Sequence, residues 1–150
     1  VIGITKAEPE DLEKLLELQY SAYQSEAQIY DDYSIQPLTQ TLSEVKEEFH
    51  KGVILKAVSD GMIVGSVREY ADGNTVHIGK LMVHPDYQGK GTGRRLLSAI
   101  ESVLYRKRFE LFTGSQSERN LHLYESAGYT RFYEEADKAG VIDIYLEKNC

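Results

Sequence analysis

Eight consecutive residues, Gln88-Gly89-Lys90-Gly91-Thr92-Gly93-Arg94-Arg95, bring together three glycines and three cations. Upstream, Val76 to Pro85 has the apolar content of a strand. Downstream, Leu96, Leu97, Ile100, Val103 and Leu104 recur at helical spacing. A glycine-rich turn from strand to helix leaves backbone N–H groups free, and the helix N-terminus adds about half a positive charge. The segment is therefore expected to hold an anion of the phosphate type. A second chemical pair lies further on. Asn120 and Tyr124 are four residues apart on one helix face. A phenol titrates near pH 10 and so carries a proton to give at neutral pH. Two groups could take a proton. Glu69 lies near a strand end, expected on the face of Val67, Gly65 and Ile63. His77 lies on the neighbouring strand, and the two could act through one water. A packed core tyrosine, a satisfied core histidine and a strand-end ion partner are the structural alternatives for these three.

The elements that must position these groups can be read along the chain. Ile2 to Thr5 is a short strand. Thr5-x-x-Glu8 with Pro9 is a helix-start pattern, and Leu12, Leu15, Leu16 and Leu18 carry the helix to about Tyr23. Residues 24–40 form a long connection. Thr41-x-x-Glu44 caps a second helix with Leu42, Val45 and Phe49 on its apolar side. Strands follow at Val53 to Val58 and Met62 to Tyr70, joined by a hairpin turn at Ser59-Asp60-Gly61, and another turn at Asp72-Gly73-Asn74 leads to the strand ending at Val83. The glycine loop opens a helix reaching about Arg106. Phe109 to Thr113 is a strand, Ser115-x-x-Glu118 starts a helix that Gly128 ends, and Tyr129 to Tyr133 and Val141 to Leu146 close the chain as strands. The predicted order is β-α-α-β-β-β-α-β-α-β-β: one α/β domain over residues 1–150, with a mixed, largely antiparallel sheet flanked by helices.

Spacing narrows the anion. The P-loop needs a glycine five residues before its Gly-Lys pair, and Gly89-Lys90 has none. The dinucleotide fingerprint fails because Arg94 stands where its third glycine belongs. What remains is Gln-x-x-Gly-x-Gly at Gln88, Gly91 and Gly93. With Leu81-Met82-Val83-His84-Pro85 before it and Asn120-x-x-x-Tyr124-x-x-x-Gly128-Tyr129 after it, the chain resembles the GNAT superfamily of acetyl-CoA-dependent N-acetyltransferases. The element order is similar over essentially the whole length.

The resemblance implies acetyl-CoA as donor and direct transfer in a ternary complex. It implies that the amides of Gly89, Lys90, Gly91, Thr92 and Gly93 hold the pyrophosphate. Leu81, Met82 and Val83 would offer backbone groups to the pantetheine arm. Gln88 belongs to the loop motif, and Lys90 and Arg94 could meet phosphates, as could Arg95. Asn120 would bind the cofactor near its pantetheine, and Tyr124 would protonate the departing thiolate. His77 takes the strand position where some members carry a glutamate base; ordered water may replace a single base in this family.

Charge distribution bears on the acceptor. The net charge is −7, yet the first fifty residues carry eleven acids and three bases, whereas the rest is nearly balanced. Basic residues gather after the glycine loop at Lys90, Arg94, Arg95, Arg106, Lys107 and Arg108. An acidic chain is a poor partner for nucleic acid. The early acids and aromatics, Tyr20, Tyr23, Glu26, Tyr30, Asp31, Asp32 and Tyr33, suit a cationic amine. The expected acceptor is a primary amine on a small cation or a peptide. No apolar run approaches a membrane span and no leader pattern opens the chain, so a cytoplasmic location without membrane contact is expected. The single cysteine, Cys150, rules out a cysteine zinc site, and no metal is expected. Strand edges near the C-terminus could pair in a homodimer. A catalytically silent acyl-CoA sensor of the same fold, and a nicotinamide enzyme using the three glycines, are the rival readings. The second lacks the required spacing.

Overall fold

The computed structural model describes every residue except Tyr105 and Ala139. Seven strands form one sheet: β1 (Ile2–Lys6), β2 (Val53–Ser59), β3 (Met62–Asp72), β4 (Thr75–Val83), β5 (Arg108–Gly114), β6 (Thr130–Ala136) and β7 (Ile142–Asn149), in the order β1-β2-β3-β4-β5-β7-β6. All neighbours are antiparallel except β4 and β5. The helices are α1 (Leu12–Ala22), α2 (Gln24–Tyr30), α3 (Gln36–Thr39), α4 (Leu42–Lys51), α5 (Thr92–Glu101) and α6 (Glu118–Ser126). The mixed α/β sheet flanked by helices is the architecture expected from the sequence.

Alternation along the strands sends side chains to two cores. On one face, Leu96, Leu97 and Ile100 of α5 and Leu121 and Tyr124 of α6 pack against Leu55, Val67, Val76, Ile78, Phe109 and Leu111. On the other, Leu12, Leu15 and Leu16 of α1 and Val45 of α4 pack against Ile54. Removing such side chains from water supplies about 25 cal/mol per Å².

Several local expectations shift. The connection over residues 24–40 contains α2 and α3, short polar helices whose periodicity is too brief to read. Thr5 lies within β1, paired with Lys56; the capping box there is built instead by Glu8 and Asp11 around a 3₁₀ turn at Pro9–Asp11. The box at Thr41 and Glu44 forms as the spacing predicts. Helix α5 stops at Glu101, short of Arg106, and Tyr105 falls outside the described residues. A bulge between β2 and β3 pairs Val58 with Ile63 but Ala57 with Gly65, which puts Ile63 on the α1 side, away from Val67.

Two features of β4 set up the site. Its parallel ladder with β5 covers only Thr75, Val76 and His77. Beyond His77 the strands part, leaving one edge of β4 without a strand partner. On the other edge the pairing jumps from Ser66–Met82 to Arg68–Gly79, so Lys80 and Leu81 stand opposite Val67 alone. This is a β-bulge, and Lys80 takes a left-handed backbone there (φ 50°).

Candidate active site

The parted strands open two cavities. The first, about 450 Å³, lies between α1–α2, the end of β4, the glycine loop and α6. Its walls include Leu81, Met82, Val83, Gln88 and the loop residues Gly89, Gly91, Thr92 and Gly93, with Arg94, Tyr23, Glu26 and Asn120 around them. Gly89 (φ 78°) and Gly91 (φ 81°) hold left-handed conformations that a larger residue would strain. Gly91 is the N-cap of α5, and the first hydrogen bond into that helix runs from Arg95 N to Gly91 O. Among the described residues, no N–H from Gln88 to Arg94 donates to a protein acceptor. The loop thus presents a run of free donors at a helix N-terminus. Gln88 anchors it: its Nε2 donates to Val83 O at 3.1 Å, and its Oε1 accepts from Arg119 at 2.8 Å. Lys90 is exposed, 5.4 Å from the Tyr87 ring centroid. Arg94 donates to Ser126 Oγ, and Arg95 turns away to the Ile2 carbonyl at 2.9 Å.

A hydrogen-bonded web closes the far side of this cavity. Ser117 Oγ donates to Glu26 at 2.6 Å and accepts from the Tyr30 hydroxyl at 2.8 Å. Asn120 Nδ2 reaches Thr113 Oγ1 at 3.2 Å and Glu26 at 3.4 Å. Tyr30 fits because β5 ends in Gly114, where a Cβ would stand 1.9 Å from the Tyr30 hydroxyl oxygen. Thr113 and Ser117 went unnoticed in the sequence; they join through folding alone. Asp31 and Asp32 are not brought in. Asp31 ends α2 in a left-handed turn, Asp32 accepts from Ser34, and both lie outside the two cavities.

Tyr124, one turn on from Asn120 in α6, is buried and is not among the residues lining either cavity. Burial, with Tyr23 and Glu26 nearby, holds its phenol well above the ordinary phenol range, so it stays protonated. Tyr23 is raised in the same way by burial, with Arg68 opposing and Glu26 and Glu48 adding to it. Tyr23 itself lines the first cavity and feels the charges of Glu48 and Arg68, which line the second.

The second cavity, about 530 Å³, opens where β4 and β5 begin to part, on the α4 side. His77 stacks on Tyr70 with ring centroids 4.8 Å apart, and its Nδ1 is 3.6 Å from Glu110. A carboxylate opposite Nδ1 favours the tautomer that leaves Nε2 free to accept a proton. Lys51, Arg68 and Lys80 lie to one side, and Phe112 and Tyr145 to the other. Burial, with Arg68 adding to it, draws Lys80 below the usual lysine range; Glu48 and Glu44 oppose this. Sequence reading missed these residues apart from His77, because only strand register and the bulge at Lys80 bring them together.

Glu69 and His77 both border this cavity, as expected of neighbours, but their side chains diverge. Glu69 pairs with Ile78, while Tyr70 pairs with His77. Successive side chains alternate faces, and Tyr70 and His77 stack on the α4 side. The Glu69 side chain therefore points to the α5 side. Both its carboxylate oxygens are sealed from solvent without a hydrogen-bond partner. Burial pushes this carboxyl up from 4.5 to about 7. The folded state thus keeps a proton that the unfolded chain releases. Glu69 imposes no ionisation cost below about pH 4.5, and stability falls as pH rises from there through about 7. Relative to wild type, Glu69→Gln is expected to gain roughly 2 kcal/mol on going from pH 5 to pH 8. Urea unfolding of both proteins at the two pH values measures this; an equal difference at both would show that Glu69 ionises freely.

A sheet split between its central strands, with a free-amide loop at the mouth of the split, is suited to an extended anionic ligand. The family model for the acetyltransferase (GNAT) domain matches residues 20–150, and the chain belongs to that family of acyltransferases. No curated protein sequence matches the chain. Among solved structures, the fold is similar to that of the paia N-acetyltransferase from Thermoplasma acidophilum in complex with coenzyme A (22% identity, TM-score 0.77, covering 100% of this chain and 99% of that one). It is also similar to the ribosomal-protein-S18-alanine N-acetyltransferase from Escherichia coli (16%, 0.82, covering 99% and 94%) and to yncA from Salmonella typhimurium, solved with its cofactor acetyl-CoA (17%, 0.78, covering 99% and 94%).

Proposed function

We propose that this protein transfers the acetyl group of acetyl-CoA directly to a primary amine, with both substrates bound at once. The observation that carries the reading is the run of free amides from Gln88 to Arg94 at the start of α5, next to the unpaired edge of β4. Gly89 to Gly93 hold the pyrophosphate, helped by Lys90 and Arg94 from the rim. The backbone of Leu81, Met82 and Val83 offers strand-like hydrogen bonds to the pantetheine arm, and Asn120 stands beside it. Acetyl-CoA, when bound, supplies an activated acetyl group on a thioester.

The chain's own residues divide the proton work. His77 Nε2 takes a proton from the incoming amine in the second cavity, with Glu110 orienting the ring. Tyr124, buried near Tyr23 and Glu26 of the first cavity's wall, gives a proton at its hydroxyl. Glu69, sealed on the other face, is left out of this relay. Tyr23 is a wall of the first cavity, and Glu26 positions Asn120 beside the Ser117 web. Direct transfer is supported by cavities on both sides of one gap, which lets donor and acceptor meet without a covalent enzyme intermediate.

Thiol release from acetyl-CoA over an amine panel tests the reading. Expected are amine-dependent turnover, intersecting initial-rate patterns, and loss of the acidic limb of the kcat/KM pH profile in His77→Ala. Parallel patterns, or CoA binding without turnover on any amine, would overturn it in favour of a covalent route or a silent sensor.

A further inference from the structure

We propose that the second cavity selects acceptors carrying a carboxylate next to the amine, namely α-amino acids with apolar side chains. This rests on the acetyl-transfer reading above and departs from the expectation of a purely cationic acceptor. The lining carries Lys51, Arg68 and Lys80 with Glu48, Glu69 and Glu110; the Glu69 oxygens are sealed from the solvent and Glu110 is taken up by Arg108 and His77, so Glu48 alone faces the three cations. Arg68 and Gln40 already engage Glu48, and Lys80 stands 3.9 Å from it. Lys51 has no carboxylate within ion-pair distance among the described residues; its Nζ lies 3.8 Å from the centroid of the Tyr70 ring. Arg68 Nε is buried and has no acceptor. The wall is thus cationic in excess, and it contains a cation that only a π face accompanies.

The position of that cation decides the ligand. Lys51 and His77 both contact Tyr70, so a free cation and the proton acceptor flank one ring. A small acceptor would turn its amine toward His77 and the carboxylate beside it toward Lys51. The opposite wall is aromatic: Phe112 and Tyr145 stack at 5.1 Å, and Phe112 is 54% exposed. An apolar side chain lies well there. Carboxylate recognition by charged donors is stronger than by neutral ones, so the handle sets the preference and the side chain refines it.

Matched pairs test this on the intact protein: L-phenylalanine against phenethylamine, and L-leucine against isopentylamine. Thiol release is expected to give the amino acid a kcat/KM at least roughly tenfold higher. Lys51→Gln should bring that ratio toward one, and Lys51→Arg should keep it. Isothermal titration of the same pairs into CoA-loaded protein reads the preference without turnover. Equal or stronger binding of the decarboxylated amines, or a better rate with a peptide N-terminus, overturns the carboxylate handle while leaving acetyl transfer intact. Selective amino-acid binding without thiol release would uphold the handle and count against the enzyme.

Discussion

Tyr124→Phe is expected to lower kcat for acetyl transfer by about a hundredfold while leaving CoA affinity nearly unchanged. General acids contribute roughly 10²–10⁴ to a rate. The low end applies because thiols have pKa values near 8.5 and leave more readily than alkoxides. The substitution removes only the hydroxyl. The ring remains among Leu121 and Tyr129 in the core shared by α5 and α6. No group among the described residues hydrogen-bonds that hydroxyl, so no protein partner is orphaned and the melting temperature should hold. The pyrophosphate donors lie on the loop, away from the change. Steady-state thiol release, CoA titration and a melting curve together check this; an unchanged kcat would remove Tyr124 from the acid role.

Arg68→Ala is expected to destabilise the fold by about 3 kcal/mol, lowering the melting temperature by roughly 6–12 °C. Arg68 reaches from β3 under α1 and α4. Its guanidinium donates to Gln19 at 2.7 Å, to Gln40 at 3.1 Å and to Glu48. Gln19, fully buried, passes the network on to Gln40 and to the carbonyl of Pro37. Removing the cation strands Gln19 Oε1 in the interior and leaves a void beneath α1 and α4. Lysine should rescue little, since one ammonium nitrogen cannot span the acceptors that two separate guanidinium nitrogens reach. A melting temperature within 2 °C or so of wild type would mean that water takes over the network.

What the sequence discloses depends on how local each feature is. The glycine loop and the Asn120–Tyr124 pair are legible because their chemistry fits within one turn or one helix face. Helices α1, α4 and α5 show their apolar spacing plainly. Helices α2 and α3 do not, because seven and four mostly polar residues hold too little period to register. Thr5 misleads because its pairing with Lys56 outweighs the local capping signal. The second cavity is invisible from the sequence because its walls come from α4, β3, β4, β5 and β7. A bulge that no periodicity reports decides which way Lys80 faces. Glu69 and His77 look like partners in the linear chain, and a one-residue matter of register sets them on opposite faces.

The three-residue ladder between β4 and β5 also bears on cooperativity. Four strands on one side and three on the other are stitched by Thr75, Val76 and His77 alone, so the gap is where the halves should breathe first, with the fastest amide exchange of the central strands. A ligand arm lying in that gap acts as a missing strand, and folding free energy then depends on donor supply through RT ln(1 + [L]/Kd). Under the proposed function, a bound acyl donor would complete the tertiary structure, and intact protein would rise with donor supply.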